Sequence, residues 1–361
     1  MKTLLPLPLN SYQQGWVLVL TLLTLVSATA CSSEDDPAPP AVATVVTKPI
    51  EEAIVFDRLT EIAPPKPRAE GAVDSDWPRF LGPTDDCISP ETHLLASFPE
   101  GGPQKVWEIE KGSGYTSPVI ADGKLVFFDR LGDNEVVDCL DPLTGRQFWS
   151  YQYPVEYSDR YGFNDGPRAS AVLSEGKAYT LGVTSVLSCL DLATGTLLWQ
   201  RNLLTEFDRA SFFFGHGTCP IIYDGKLIVP LGTNGEKKGL SVVAFDQHTG
   251  KLLWSTEHEW NASYASPIVT ELQGEPRLLV FQGGESNPAF GGLLAINPET
   301  GELLDTFPWR PDKYESVNSS TPIPVGDDRV FLSTSYQLGG VLLKMNEALK
   351  FEVLWDAPDF G

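Results

Sequence analysis

At 361 residues, with 42% apolar and 11% aromatic residues, the chain can bury a sizeable core, either as one large domain or as two ordinary ones. Its 32 glycines and 29 prolines suit many tight turns between short strands. A formal net charge of −22, with no cluster of Lys and Arg, argues against a nucleic-acid partner, whose phosphates need clustered cations, and leaves an acidic solvated surface.

Residues 1–30 read as an export signal. Lys2 supplies a positive n-region, Trp16 to Val26 is an apolar h-region, and small residues follow. Eleven apolar-rich residues are too few to span a bilayer of about 30 Å, so a permanent transmembrane helix is not expected. Ala28-Thr29-Ala30 fits an ordinary cleavage site, while Cys31 with Ser-Ser-Glu-Asp-Asp behind it resembles a bacterial lipobox. Ala28 stands where lipoboxes usually carry Leu. The resemblance implies lipidation of Cys31 and anchorage to a membrane through acyl chains. Residues 32–76 hold ten acidic residues, four basic residues and seven prolines without a sustained apolar period, so 31–76 are expected to form a disordered tether.

From residue 77 onward, two phrases recur. The first opens with a small residue, usually followed by Pro, and runs through an apolar stretch, a turn and a second apolar stretch. Its copies begin at Ser117, Ser170, Cys219, Ser266 and Thr321. Asp122-Gly123 and Asp224-Gly225 between β-rich runs signal tight hairpins, since Gly accepts the positive φ that such turns require. The second phrase is small residue, hydrophobe, Asp or Asn, two spacers, Thr-Gly, then three residues before a Trp position. It reads Cys139 to Trp149 around Gly145, Cys189 to Trp199 around Gly195, and Ala244 to Trp254 around Gly250. The fourth copy runs from Ala295 through Gly301 to Asp305 in place of Trp, leaving Phe307 or Trp309 to pack there. A fifth, degenerate copy leads from Asn346 to Trp355.

Each unit therefore predicts four antiparallel strands. Four-stranded units repeating about every 50 residues are blades of an all-β propeller over 77–361. Nothing carries the 3.6-residue apolar period that helical repeats need.

The Thr-Gly to Trp phrase resembles the tryptophan-docking motif of the PQQ-like repeat (quinoprotein-type) propellers. In those proteins the Trp stacks on the Thr-Gly peptide of the next blade. Trp77-Pro-Arg-Phe-Leu-Gly-Pro83 and Gly166-Pro-Arg168-Ala-Ser170 further resemble the exported, BamB-like bacterial subgroup. The resemblance covers residues 77–355 and implies structural roles for Trp107, Trp149, Trp199 and Trp254 with Gly145, Gly195, Gly250 and Gly301. Val106-Trp107-Glu108 reads as a fourth strand that no blade precedes. Five units are visible where such propellers usually have seven or eight, so the ring is expected to be incomplete at the C-terminus, with a five-bladed ring as the alternative.

The repeat register places Cys139, Cys189 and Cys219 in slots for small buried residues, and Cys87 has no equivalent. The four histidines show no zinc-ligand spacing, and no metal site is expected. Methanol-type quinoproteins carry adjacent cysteines beside the quinone and a calcium site of carboxylate and amide oxygens. Neither set is found in this sequence. No P-loop, H-E-x-x-H or G-x-S-x-G motif occurs. One constellation stands out. Tyr115, Asp165, Arg168, His216, Tyr264 and Asn318 fall at comparable places just before the first strands, where propellers line their central funnel, and could receive a small polar or anionic ligand. Tyr115, Phe163, Phe214 and Tyr264 also raise glycan binding at the funnel.

The expected function is that of a non-catalytic, lipid-anchored scaffold in the bacterial cell envelope, at the periplasmic face of a membrane. Its partner would be a protein, and the BamB resemblance implies outer-membrane protein assembly. The alternative is a PQQ-dependent oxidoreductase that would use PQQ and calcium.

Overall fold

Among the described residues nearly every regular element is an extended strand, and the third and fourth strands of each of the first four blades are joined by a turn of five or six residues. The computed structural model describes residues 45–46, 52–209, 212–232, 239–284, 290–313 and 316–358. The export signal and Cys31 lie outside the described residues. Two short strands come first, β1 (Val45–Val46) and β2 (Leu59–Glu61), followed by β3 (Trp107–Ile109). Blade 1 is β4 (Val119–Ala121), β5 (Lys124–Leu131), β6 (Asn134–Leu140) and β7 (Gln147–Pro154). Blade 2 is β8 (Val172–Ser174), β9 (Lys177–Leu181), β10 (Val186–Asp191) and β11 (Leu197–Asn202), followed by the one-turn helix α1 (Leu203–Glu206). Blade 3 is β12 (Ile221–Tyr223), β13 (Lys226–Pro230), β14 (Gly239–Asp246) and β15 (Leu252–His258). Blade 4 is β16 (Ile268–Leu272), β17 (Glu275–Gln282), β18 (Gly292–Ile296) and β19 (Leu303–Pro308). Blade 5 is β20 (Ile323–Val325), β21 (Arg329–Thr334), β22 (Gly339–Met345) and β23 (Phe351–Ala357). Each blade pairs its strands in chain order, antiparallel throughout, which is the β-propeller arrangement the repeat predicts.

The recurring phrase is legible atom by atom. Its Asp or Asn side chain turns back on the backbone: Asp141 Oδ1 accepts from the amides of Leu143 (2.8 Å) and Thr144 (3.0 Å), and Asp191, Asp246 and Asn297 do the same for Thr194, Thr249 and Thr300. The glycine that follows adopts φ between +70° and +76° at Gly145, Gly195, Gly250 and Gly301. A Trp lies on it, from β3 for blade 1 and from the last strand of the preceding blade for blades 2 to 4. A Cβ at Gly195 would stand 2.6 Å from Trp149 Cδ2, and the same conflict would arise at Gly145 with Trp107, at Gly250 with Trp199 and at Gly301 with Trp254. The indole N–H then donates to the carbonyl one residue past the Asp or Asn. Trp107 reaches Pro142 (3.1 Å), Trp149 Leu192 (2.9 Å), Trp199 Gln247 (3.2 Å) and Trp254 Pro298 (3.2 Å).

The joint between blades 4 and 5 is ionic. Asp305 Oδ2 accepts from the Phe351 amide at 2.7 Å, and Lys350 Nζ donates to Asp305 Oδ1 at 2.9 Å. Phe307 and Trp309 pack instead into the core shared by blades 4 and 5, with Trp309 stacked on Phe281 at 5.9 Å. Cys139, Cys189 and Cys219 are buried free thiols, while Cys87 is exposed.

The expected tether is corrected over residues 54–62. Ile54 exchanges two backbone hydrogen bonds with Gln147 on the outer edge of β7, and β2 pairs with β3, so Trp107 does not stand alone. Phe56, Trp107 and Ile109 pack against Leu125, Phe127 and Leu140 of blade 1, with Leu59 buried beside them. Arg58 supplies the specificity. Its guanidinium donates to Asp129 at 2.8 Å and also to Asp138, and all three side chains lie at most 15% exposed. The acidic, Pro-rich composition hides these few apolar residues, and the two carboxylates that Arg58 answers lie more than 70 residues away.

A second segment reaches across the fold. Trp77 makes a two-hydrogen-bond bridge with Ile120 of β4, Pro78 O accepts from Leu173 of β8, and Leu81 packs against the core of blades 4 and 5. Residues 77–83 thus connect the first strands of blades 1 and 2 to the opposite blades.

Replacing Trp149, the most deeply buried docking Trp, with Ala should cost about 3–5 kcal/mol in urea unfolding, whereas Asp305→Ala should cost about 1 kcal/mol or less, because its Lys350 partner is largely solvated. The ion triad makes a pH prediction. Burial pushes the Asp138 carboxyl up to about 6 against the pull of Arg58, from an ordinary 3.8. Because the folded value lies above the unfolded one, its contribution to stability is complete below about pH 4 and is lost as pH rises through about 6. Asp138→Asn should therefore flatten the stability profile across that window, measured as the urea midpoint against pH.

Candidate functional site

The loops that enter the first strands of blades 2, 3 and 4 share one end of the propeller. The first, residues 155–168, is built around a single buried carboxylate. Asp159 Oδ1 accepts from the amides of Tyr161 (2.9 Å) and Phe163 (3.3 Å), its own amide donates to Asp165 Oδ1 at 2.6 Å, and its Oδ2 accepts from Arg168 at 2.8 Å. Arg168 also donates to the carbonyls of Gly166 and Asn164, each at 2.9 Å. Arg130 reaches the same loop from β5, donating to the carbonyls of Tyr157 (2.7 Å) and Asp165 (2.9 Å). An Asp-Asn-Gly-rich stretch folds this way because short polar side chains hydrogen-bond their own backbone.

The Arg168 guanidinium lies between two rings, 5.7 Å from the Tyr115 centroid and 5.6 Å from that of Tyr157. Burial raises the pKa of Tyr157, and its hydroxyl has no hydrogen-bond partner among the described residues. Tyr115 is fixed by its backbone, whose amide donates to Pro167 O at 2.8 Å, and its ring is 58% exposed.

The second loop presents Phe212 to Gly217. The His216 amide donates to Val183 O at 2.8 Å, and its Nδ1 lies 2.9 Å from Ser185 Oγ. The imidazole is fully buried, and desolvation pulls its pKa down to about 3, with the Pro230 backbone opposing weakly, so it is neutral across the physiological range. Gly217 brings the second and third loops together: a Cβ there would lie 2.9 Å from the Tyr264 ring and 3.5 Å from Arg168 Cβ. Tyr264 accepts from the Phe214 amide through its hydroxyl at 3.0 Å, and its own amide donates to Asn318 O at 3.1 Å. Asn318 is fully buried and spends its amide on Gln282 O (2.8 Å) and Trp309 O (3.3 Å).

The structure therefore brings Tyr115, Asp165 and Arg168 together and sets Tyr264 beside them. His216 and Asn318 stand behind as buried struts rather than as ligand-facing groups. Sequence reasoning missed Asp159, the hub, and the rings of Tyr157, Tyr161 and Phe213. All sit in loops with no counterpart in the other units, and the one available signal was the turn chemistry of Asn164-Asp165-Gly166.

PQQ is a planar quinone with three carboxylates, so it calls for free cationic donors and, in its dehydrogenases, a metal. Here Arg168 is committed to Asp159, Gly166 and Asn164. No group of three or more His, Cys, Asp or Glu side chains among the described residues could hold a metal ion. As paired, Arg168 offers a PQQ carboxylate no free guanidinium.

Arg168→Ala should release the loop without unfolding the blades. The amides of Tyr161 and Phe163, protected by Asp159, should exchange at least tenfold faster by hydrogen-exchange mass spectrometry, with β5 and β9 unchanged.

A protein-family profile described as outer membrane protein assembly factor BamB matches residues 132–360. The outer membrane protein assembly factor BamB of Burkholderia pseudomallei is 25% identical over 286 residues, covering 76% of this chain and 64% of that protein. A quinoprotein ethanol dehydrogenase of Pseudomonas putida is 26% identical over 190 residues, 50% of this chain and only 28% of the enzyme. The chain thus spans less than two thirds of these relatives. The crystal structure of BamB from Moraxella catarrhalis aligns with 69% of this chain and 62% of its own, at a TM-score of 0.43 and 17% identity.

Proposed function

Because the chain belongs to the family of the outer membrane protein assembly factor BamB, a family of PQQ-like repeat propellers, we propose that it is a non-catalytic interaction scaffold of the cell envelope that serves outer-membrane protein assembly. Its partner on this reading is another protein, met on the blade loops. Cys31 carries the lipid that holds the propeller at the periplasmic face of a membrane.

One observation carries the reading. The only arginine among the funnel candidates is neutralised by Asp159, and two of the other candidates, His216 and Asn318, are buried between blades. A rim whose one candidate arginine is held by a buried carboxylate keeps its shape without a ligand, which suits a surface for another protein. The segment 77–83, which reaches between opposite blades, adds to this by occupying space near the first strands.

The competing reading, a PQQ-dependent oxidoreductase, is favoured by the likeness to the quinoprotein ethanol dehydrogenase. The two part in one assay. Purified protein incubated with PQQ, calcium and an artificial electron acceptor should leave the dye unreduced with primary alcohols. Substrate-dependent reduction would overturn the scaffold reading. Deleting the gene in its native host should lower the content of β-barrel proteins in the outer membrane, and unchanged content would count equally against it.

A further inference from the structure

Aromatic rings gather on the same rim, exposed at Tyr161 and Phe163 and half-buried at Phe213, Phe214 and Tyr264. Tyr161 and Phe163 come from the first loop, Phe213 and Phe214 from the second, and Tyr264 from the third. Tyr161 stands 5.8 Å from Phe163, 5.9 Å from Phe213 and 6.1 Å from Phe214, and Phe214 stands 5.8 Å from Tyr264. The pairs are tilted or edge-on, the arrangement that aromatic quadrupoles favour, so the rings brace one another while one side stays in water. Phe163 is 68% exposed and Tyr161 47%, and Tyr115, against the guanidinium of Arg168 from the same first loop, is 58% exposed. Single exposed hydrophobes are ordinary, but a braced group from three separate loops points to a ligand.

We propose that this rim is a carbohydrate site that stacks the C–H faces of gluco-configured pyranose rings on Phe163, Tyr161 and Tyr115. Size supports a sugar over a protein. At those exposures the three rings offer on the order of 350 Å², against roughly 800 Å² per partner in a stable protein interface, and that area matches two or three pyranose rings. The buried cation of the rim is already paired, Arg168 with Asp159, so stacking on the exposed rings is the main contact left to a ligand, and the Arg160 guanidinium, 4.8 Å over the Phe213 ring, adds a hydrogen-bond donor at the edge. Sugars of gluco configuration keep their hydroxyls equatorial and so present an unbroken apolar face for stacking. The rim is rigid in the sense that matters for binding, because the Asp159 hub fixes the backbone amides of both Tyr161 and Phe163. This inference does not depend on the scaffold reading.

The test uses the purified full chain with cellohexaose, chitohexaose and maltohexaose, followed by calorimetry and by migration in native gels containing hydroxyethylcellulose. The β-linked hexaoses should bind. Phe163→Ala and Tyr161→Ala should each weaken binding about tenfold with an unchanged melting temperature, and Phe163→Trp should retain it. Leu143→Ala, an exposed apolar side chain in the blade 1 turn, should have no effect. Three outcomes overturn the proposal: no hexaose binds at millimolar concentration, binding survives the Tyr161→Ala/Phe163→Ala double variant, or that variant loses a protein partner while no saccharide binds to the parent.

Discussion

The fold rests on one contact, a tryptophan laid flat against a glycine that belongs to the next blade. A strand edge can be paired by backbone hydrogen bonds, but the faces of neighbouring blades meet chiefly through side chains. Trp149 on Gly195 does this by area and by direction. Its ring buries on the order of 150–250 Å², and its indole N–H donates to Leu192 O at 2.9 Å, so only one approach satisfies both. The glycine is required twice, for a φ of +72° and for the space the ring occupies. The turn before it is preformed by an Asp or Asn side chain bound to its own backbone. Each joint is thus a rigid receptor made before the blades meet.

The two ends of the series of joints show what this contact does elsewhere. At the joint between blades 4 and 5, Asp305 replaces the tryptophan and holds the next turn through the Phe351 amide and Lys350. That joint exchanges buried area for an ion pair open to solvent, which is weaker and sensitive to salt. At the other end Trp107 docks normally on Gly145, yet the strand that pairs with it comes from residues 59–61. Arg58 then enters a site lined by Asp129 and Asp138, carboxylates that burial would otherwise penalise. A tryptophan joint tolerates acid and salt alike. The Arg58 joint is responsive to pH, because one of its carboxyls titrates near 6.

What was legible in the sequence follows from this division. The propeller, its five units and the register of every docking Trp were readable because each joint repeats one local phrase. The strap at residues 54–62 was not, because Phe56, Arg58 and Leu59 act on partners far along the chain and sit within an acidic, Pro-rich stretch that resembles a linker. The candidate site was half legible. Counting back from each first strand places Tyr115, Arg168 and Tyr264 at one end of the fold, and they do meet there. The same count cannot tell that His216 faces Ser185, or that Asn318 faces Gln282, since those contacts cross from one blade to another.

A repeat architecture that spends its sequence on joints leaves its individuality to the loops. Strands and turns here are nearly interchangeable between units, and the residues that differ most, 155–168 and 212–217, are those that build the rim. Within them polar chemistry is turned inward: Asp159 satisfies Arg168 and two amides, and His216 is neutral and buried. Aromatic surface is turned outward. Stabilising such loops with internal charge pairs frees them from needing a core beneath them, and it keeps hydrophobic rings in water at little entropic cost because the backbone below is already fixed. The rim is therefore the part of this molecule where recognition can vary without touching the contact on which the fold depends.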